Sequence, residues 1–181
     1  MYYIRRRSVR HIANTTIGKK FESKFESEYQ RCFPGTTIYR LPDQQSGYAG
    51  GGGSNPCDFF CYPGDCVLMV ECKAHKGSSI NFNEIRQYDK MLDYKGKYKT
   101  FPGVVVWFYE KDTVIWVSIE EMEKMVLDGE KSIGLRMVDE KKPYKKQYNI
   151  LILPSKKLKT FMETDYNFLA NNLITLIQFI N

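Results

Sequence analysis

The sequence predicts a mixed α/β (α+β) domain, a central sheet flanked by helices. Three observations carry that expectation. Apolar stripes at helical spacing alternate with short β-branched and aromatic runs, in the order α, β, β-hairpin, α, ββ, α, β, α. The 181 residues are enough for one domain with a sizeable buried core. Hydrophobic residues make up 43% and charged residues 27%, the balance of an ordinary globular chain rather than a disordered or membrane-embedded one.

The elements follow in order. Residues 1–13 read as an irregular basic arm. Asn14, Thr15 or Thr16 is placed to cap a helix carrying Ile17, Phe21, Phe25 and Cys32 on one stripe, stopped before Pro34-Gly35. Thr36 to Leu41, rich in β-branched and aromatic residues, is a first strand. Residues 42–56 are loop, because the glycines Gly50 to Gly53 form no regular element. Asp58 to Cys61 and Cys66 to Lys73 flank Tyr62-Pro63-Gly64-Asp65, a hairpin with Pro-Gly at the centre of its turn. Asn81 or Asn83 caps a helix to about Tyr94, ended by Gly96. Gly103 to Glu110 and Thr113 to Ile119 pair around Lys111-Asp112. Ser118 and Glu121 have capping-box spacing for a helix to Asp128, closed by Gly129. Gln147 to Leu153 is a further strand, and a C-terminal helix fills about 164–180. Residues 14–181 are thus expected to form one domain, with a core over about 14–120 and an extension over about 121–181.

The formal net charge of +6 draws the chain towards a polyanion, and nucleic acid is the commonest. Arg5, Arg6, Arg7, Arg10, Lys19, Lys20 and Lys24 crowd the first two dozen residues, and a second cluster runs from Lys141 to Lys159. No apolar run resembles a secretory signal or reaches the length of a membrane span, so a cytoplasmic protein is expected. Five cysteines, an odd number in a reducing setting, argue against a disulfide framework.

Chemistry concentrates in Asp58 and, thirteen residues later, Glu71-Cys72-Lys73. Alternation along a strand points Glu71 and Lys73 one way and Cys72 the other. With Pro63-Gly64 as a two-residue turn, hairpin partners sum to 127, so Asp58 opposes Met69 and lies diagonal to Glu71, about 7–8 Å away. A slip of one residue would send Asp58 to the other face. Two carboxylates and an ammonium then share one face. Two hard carboxylate oxygens and the Cys72 backbone carbonyl suit Mg²⁺, with Mn²⁺ as a substitute, and leave positions for water and phosphate. Such a set fits phosphodiester hydrolysis, with Lys73 orienting or deprotonating water or stabilising charge on phosphorus. An E-x-K tripeptide is by itself an ordinary surface pair. Here the apolar run Val67 to Val70 delivers it at the end of a buried strand, where charges are costly.

A zinc reading of Cys57, Cys61, Cys66 and Cys72 fails on distance. The proposed register puts all four on one face and makes Cys61 and Cys66 neighbours, yet Cys57 and Cys61 are roughly 13 Å apart along a strand. The glycine run lacks the Lys-Ser/Thr of a phosphate loop, and neither His11 nor His75 has partners for a nucleophilic triad. Tyr39 and Arg40 on the first strand are open to either a DNA-facing or a structural reading, as is His75.

These residues resemble the PD-(D/E)xK nuclease superfamily, with its restriction-endonuclease-like αβββαβ core. Within it they are most similar to RecU-type Holliday junction resolvases over about residues 5–120. The likeness rests on Gly18-Lys19-Lys20-Phe21-Glu22, on Ser78 to Phe82 followed by Ile85 and Gln87, and on the apolar strand Gly103 to Phe108. It implies a metal-dependent endodeoxyribonuclease acting on four-way DNA junctions. Asp58 and Glu71 would bind metal, Lys73 would be catalytic, Glu22 would supply an outer carboxylate, and Gln87 would support the site. Glu26, one helical turn from Glu22, is the alternative outer acid, with the Gly18 to Glu22 pattern favouring Glu22. DNA contacts would come from Arg5, Arg6, Arg7, Arg10, Lys19, Lys20, Arg40, His75 and Lys76. Symmetric cutting of a junction calls for a homodimer. The sequence departs from the pattern in two places. Cys57 separates Pro56 from Asp58, and the short stretch 42–54 stands where RecU-type proteins carry a long stalk. Alternatives are a restriction- or repair-type nuclease acting on duplex or flap DNA, and a non-catalytic DNA-binding module.

Overall fold

Val67–His75 is the strand on which the other elements are arranged, and Leu68 to Cys72 within it are all buried. The computed structural model describes residues 4–42, 55–138 and 148–153. Its elements are α1 (Ile4–Cys32), β1 (Thr37–Arg40), β2 (Phe59–Tyr62), β3 (Val67–His75), β4 (Ser79–Asn81), α2 (Tyr88–Leu92), β5 (Thr100–Phe108), β6 (Thr113–Ser118), α3 (Ile119–Leu127), β7 (Ser132–Gly134) and β8 (Ile150–Leu153). Six strands form one sheet in the order β1-β2-β3-β5-β6-β8, and β4 pairs with β7 separately. Only the β3–β5 pair is parallel, which makes the sheet mixed as the sequence predicts.

Helices cover both faces. The α1 stripe Ile17, Phe21, Phe25 and Tyr29 packs on Phe59, Cys61, Val70, Cys72, Val105 and Trp107. Its ring contacts include Phe21 with Trp107 and Phe25 with Phe59, at centroid distances of 5.6 and 5.4 Å. The opposite face carries Val104, Val106, Ile115 and Val117 beneath Ile85, Met91, Ile119, Met122 and Met125. Residues alternate between these two cores along β5 and β6, as a sheet covered on both sides requires.

Several expectations need correction. Helix α1 begins at Ile4, so residues 4–13 are helical backbone rather than an irregular arm. Nothing between Ile4 and Ile17 is Gly or Pro, and Asn14 to Thr16 continue the helix instead of capping it. The β2–β3 connection is four residues, Pro63 to Cys66, not a two-residue turn. The Val67 amide, where β3 starts, donates to Lys99 O, and Asp65 is ion-paired with Lys99, so the neighbouring loop pins the wider turn. The helix expected from Asn81 or Asn83 is broken in two. A 3-10 turn at Phe82–Glu84 ends at Ile85, which leaves helical space (φ −96, ψ 77), and α2 is only Tyr88–Leu92. The short pair β4–β7 was not foreseen. By contrast, Ser118 caps α3 by accepting from the Glu121 amide at 3.3 Å, and Gly129 adopts the left-handed φ of 83 that closes it. The expected C-terminal helix and the basic cluster from Lys141 lie outside the described residues, apart from the strand β8. Among the described residues no helix is long and apolar enough to cross a membrane.

Gly103 marks the tightest packing in the sheet. A Cβ there would lie 2.4 Å from the Trp116 ring and 2.7 Å from Val117 O. Gly103→Ala is expected to cost about 1–3 kcal/mol and lower Tm by several degrees. Gly64→Ala, with nothing within 4 Å, serves as the control and should leave thermal unfolding unchanged.

Candidate functional site

The sheet places Glu71 and Lys73 on the face of β3 away from α1, beside Val104 and Val106 of β5. Across β2 the register is Phe59↔Val70, Phe60↔Met69 and Cys61↔Leu68, partners that sum to 129 rather than 127. The shift is two residues, so every side chain keeps its face. It brings Asp58, just beyond the last ladder pair, beside Val70 and Cys72. It also sets Cys61 opposite Leu68 instead of Cys66.

Asp58 is held by an irregularity that the sequence does not announce. Its amide donates to Val70 O at 3.1 Å, although Phe59 is the ladder partner of Val70, so two residues oppose one in the manner of a β-bulge. Its Oδ2 accepts from the Cys72 amide at 2.8 Å. The carboxylate thus stands where the carbonyl of a continuing β2 would be, and it ends the pairing with β3. The amide and carbonyl of a ladder residue point the same way, so the Cys72 carbonyl faces the side occupied by Asp58.

Glu71 is fully buried. Its Oε1 lies 2.6 Å from Lys73 Nζ, an ionic contact, and neither carboxylate oxygen takes part in a well-directed hydrogen bond. Burial pushes the Glu71 carboxyl up to about 8, Lys73 opposes the rise, and Asp58 adds to it. Burial likewise raises Asp58, against the Cys72 amide and the charges of Lys73 and Arg40. Gln87, which precedes α2, also has a buried Oε1 without a partner.

The other expected residues are placed as follows. The Glu22 carboxylate is ion-paired with Arg40, joining α1 to β1 beside Asp58. Glu22 acts on Cys72 and Glu26 on Cys61, which puts Glu22 at the site end of the helix. His75 follows Lys73 on the same face. Its Nδ1 accepts from the Gly77 amide at 3.1 Å and its Nε2 is 3.6 Å from Glu84 Oε2. Lys76 is exposed and 3.4 Å from Glu110. Lys19 is half-buried and Lys20 exposed on α1, while the side chains of Arg5, Arg6, Arg7 and Arg10 lie outside the described residues. The Arg40–Glu22 pair could not be foreseen, because nothing in the spacing of a helix and a later strand fixes which charges meet.

Cys57, Cys61, Cys66 and Cys72 are free and buried. Burial raises all four thiols, Cys57 to about 12, and among the described residues no three His, Cys, Asp or Glu side chains converge as metal ligands. The Asp58 and Glu71 carboxylates and the Cys72 carbonyl are a different set: hard oxygens only, too few to complete a coordination sphere. The buried Glu71 carboxylate, with Lys73 against Oε1 and no hydrogen bond on either oxygen, is what a divalent cation such as Mg²⁺ would satisfy, with positions left for water and phosphate.

No family model and no curated protein matches this chain. A solved structure similar to it is that of Hjc from Archaeoglobus fulgidus, a Holliday junction resolvase from an archaeal hyperthermophile. The TM-score is 0.46 at 19% identity, covering 66% of this chain and 89% of that one.

The raised Glu71 carboxyl has a thermodynamic consequence in the metal-free protein. Its folded value lies above the ordinary 4.5, so its contribution to stability is fully present below pH 4.5 and is lost as pH rises towards about 8. Glu71→Gln removes the burden of a buried charge. It should raise metal-free stability at neutral pH by about 1–3 kcal/mol and flatten the decline between those pH values, as read by thermal melts. A variant that melts lower than wild type throughout would refute this account of the site.

Proposed function

We propose that the chain is a divalent-cation-dependent endodeoxyribonuclease that cuts branched DNA of the Holliday-junction kind, acting as a homodimer. One observation carries the nuclease reading. The fully buried Glu71 carboxylate of the central strand, ion-paired through Oε1 with Lys73 and otherwise without a hydrogen bond, meets the half-buried Asp58 carboxylate. A structural role explains that arrangement poorly, since a buried carboxylate lacking full pairing destabilises the fold.

Asp58, Glu71 and the Cys72 carbonyl would hold Mg²⁺, with Mn²⁺ able to replace it. When bound, the cation polarises a phosphoryl oxygen and lowers the pKa of an attacking water. Lys73 supplies a positive charge that Glu71 fixes in place, directed at the charge developing on the phosphate. The Cys72 amide keeps Asp58 aimed. Gln87 would support the site, and the Glu22–Arg40 pair borders it from α1 and β1. His75, Lys76, Lys19, Lys20 and the arginines early in α1 would contact flanking phosphates. The choice of a four-way junction rests on the Gly18 to Glu22 motif and the stretch from Ser78 to Gln87. The short segment 42–54, in place of a long stalk, favours a second reading, cleavage of flap or linear duplex DNA.

Labelled four-way junction, flap and linear duplex incubated with Mg²⁺ separate these readings. Paired symmetric nicks on the junction alone are expected, and cutting of linear duplex at a similar rate would rule out junction selectivity. Asp58→Asn should abolish cleavage while retaining DNA binding, and Lys73→Ala should lower the rate by at least about 10²-fold. Normal cutting by either variant would overturn the site assignment. Chelation with EDTA should stop the wild-type reaction, and added Mg²⁺ should restore it and raise Tm.

A further inference from the structure

On the face that carries Glu71 and Lys73, β1 and β2 present an aromatic row. The register places Tyr39 against Phe60 and Phe60 against Met69, so these three side chains lie side by side across β1, β2 and β3. Glu71 is two residues along β3 from Met69, which sets the row beside the acids, roughly 7 Å along the strands. Exposure rises towards the sheet edge. Met69 is buried, Phe60 half-buried and Tyr39 55% exposed. Tyr62, in the next row opposite Thr37, is 40% exposed. On this side of the sheet α2 and α3 pack over β5 and β6, while among the described residues Phe60 of β2 stays half-buried and Tyr39 of β1 largely exposed.

We propose that Tyr39 and Phe60 form a stacking platform for an unstacked nucleobase next to the phosphate held at Asp58 and Glu71. This rests on the nuclease reading and names the feature of the substrate that the site would select. Every nucleobase has a π-face, so stacking on an aromatic side chain tolerates any sequence. In continuous duplex the bases are stacked on one another. At a branch point or an unpaired nucleotide one is released at least cost. A platform beside the acids therefore favours irregular DNA over linear duplex without reading sequence. Position argues for nucleic acid over a second copy of the chain, because a subunit seated on the row would cover the acids. The chain as a whole carries a net +6, and Lys73, ion-paired with Glu71, lies on the same face.

The test uses the full-length Asp58→Asn protein in Mg²⁺ with a four-way junction carrying 2-aminopurine at the branch. Binding should quench the 2-aminopurine fluorescence. Adding Tyr39→Ala should remove the quench and weaken binding about tenfold, whereas Tyr39→Phe should retain both. With Asp58 intact, Tyr39→Ala should slow junction cleavage by a similar factor. Tyr39 is exposed, and an unchanged thermal melt would show that the alanine variant folds. Wild-type quench and cleavage by Tyr39→Ala would overturn the platform and leave the nuclease standing. Dissociation of a dimer by Tyr39→Ala with quenching retained would also overturn it and make the face a subunit contact. Tyr39-dependent quenching by a protein that cuts no DNA would support the platform and refute the nuclease.

Discussion

The Cys72 amide donates to a side chain, Asp58 Oδ2, where a regular hairpin would offer a backbone carbonyl. Much of the site depends on that substitution. It halts β2 against β3, leaves the end of β3 without a strand neighbour on that side among the described residues, and fixes one carboxylate beside another. Glu71 is then buried by the strands around it, with Oε1 against the Lys73 ammonium. A bulge of this kind costs a ladder hydrogen bond and gains a rigidly aimed side chain, and such bulges concentrate where function requires one.

The surrounding fold supplies the stability that this arrangement consumes. Two apolar layers sandwich the sheet, each helix stripe meeting one parity of residues. Burial of so many large side chains outweighs one poorly satisfied carboxylate, which is worth a few kcal/mol at most against a core term of order 10² kcal/mol. The Glu22–Arg40 pair ties α1 to the sheet edge at the same level, and the Arg40 charge also favours ionised Asp58. Charges around the acids thus offset part of the burial penalty, and none of them removes it for Glu71.

The class of fold and the acid–lysine cluster were legible because both depend on periodicity. Alternation settles that Glu71 and Lys73 share a face whatever the turn, and a wrong turn length displaced the register by two, an even number. A three-residue turn would have reversed the face of Asp58. What stayed hidden depends on contacts between distant segments. The wider turn follows from Lys99 reaching Asp65 and Val67, the interrupted helix from Ile85 entering the core, and the β4–β7 pair from segments more than fifty residues apart. The beginning of α1 was misplaced for a local reason: Asn14 to Thr16 have capping side chains, yet nothing there stops a helix already running from Ile4.

Parity also divides the work of the hairpin. Phe59, Cys61, Leu68, Val70 and Cys72 turn to α1 and hold the fold together. Phe60, Met69, Glu71, Lys73 and His75 turn the other way and are graded, from an aromatic row through the acids to a histidine at the strand end. The first set tolerates only apolar residues of fitting volume, because α1 closes over it. The second set is buried at Met69 and Glu71, and among the described residues its exposure rises through Phe60 to Tyr39 of β1. The aromatic row and the acids are thus neighbours on one face of three adjacent strands, while the opposite parity of the same hairpin is given over to the core.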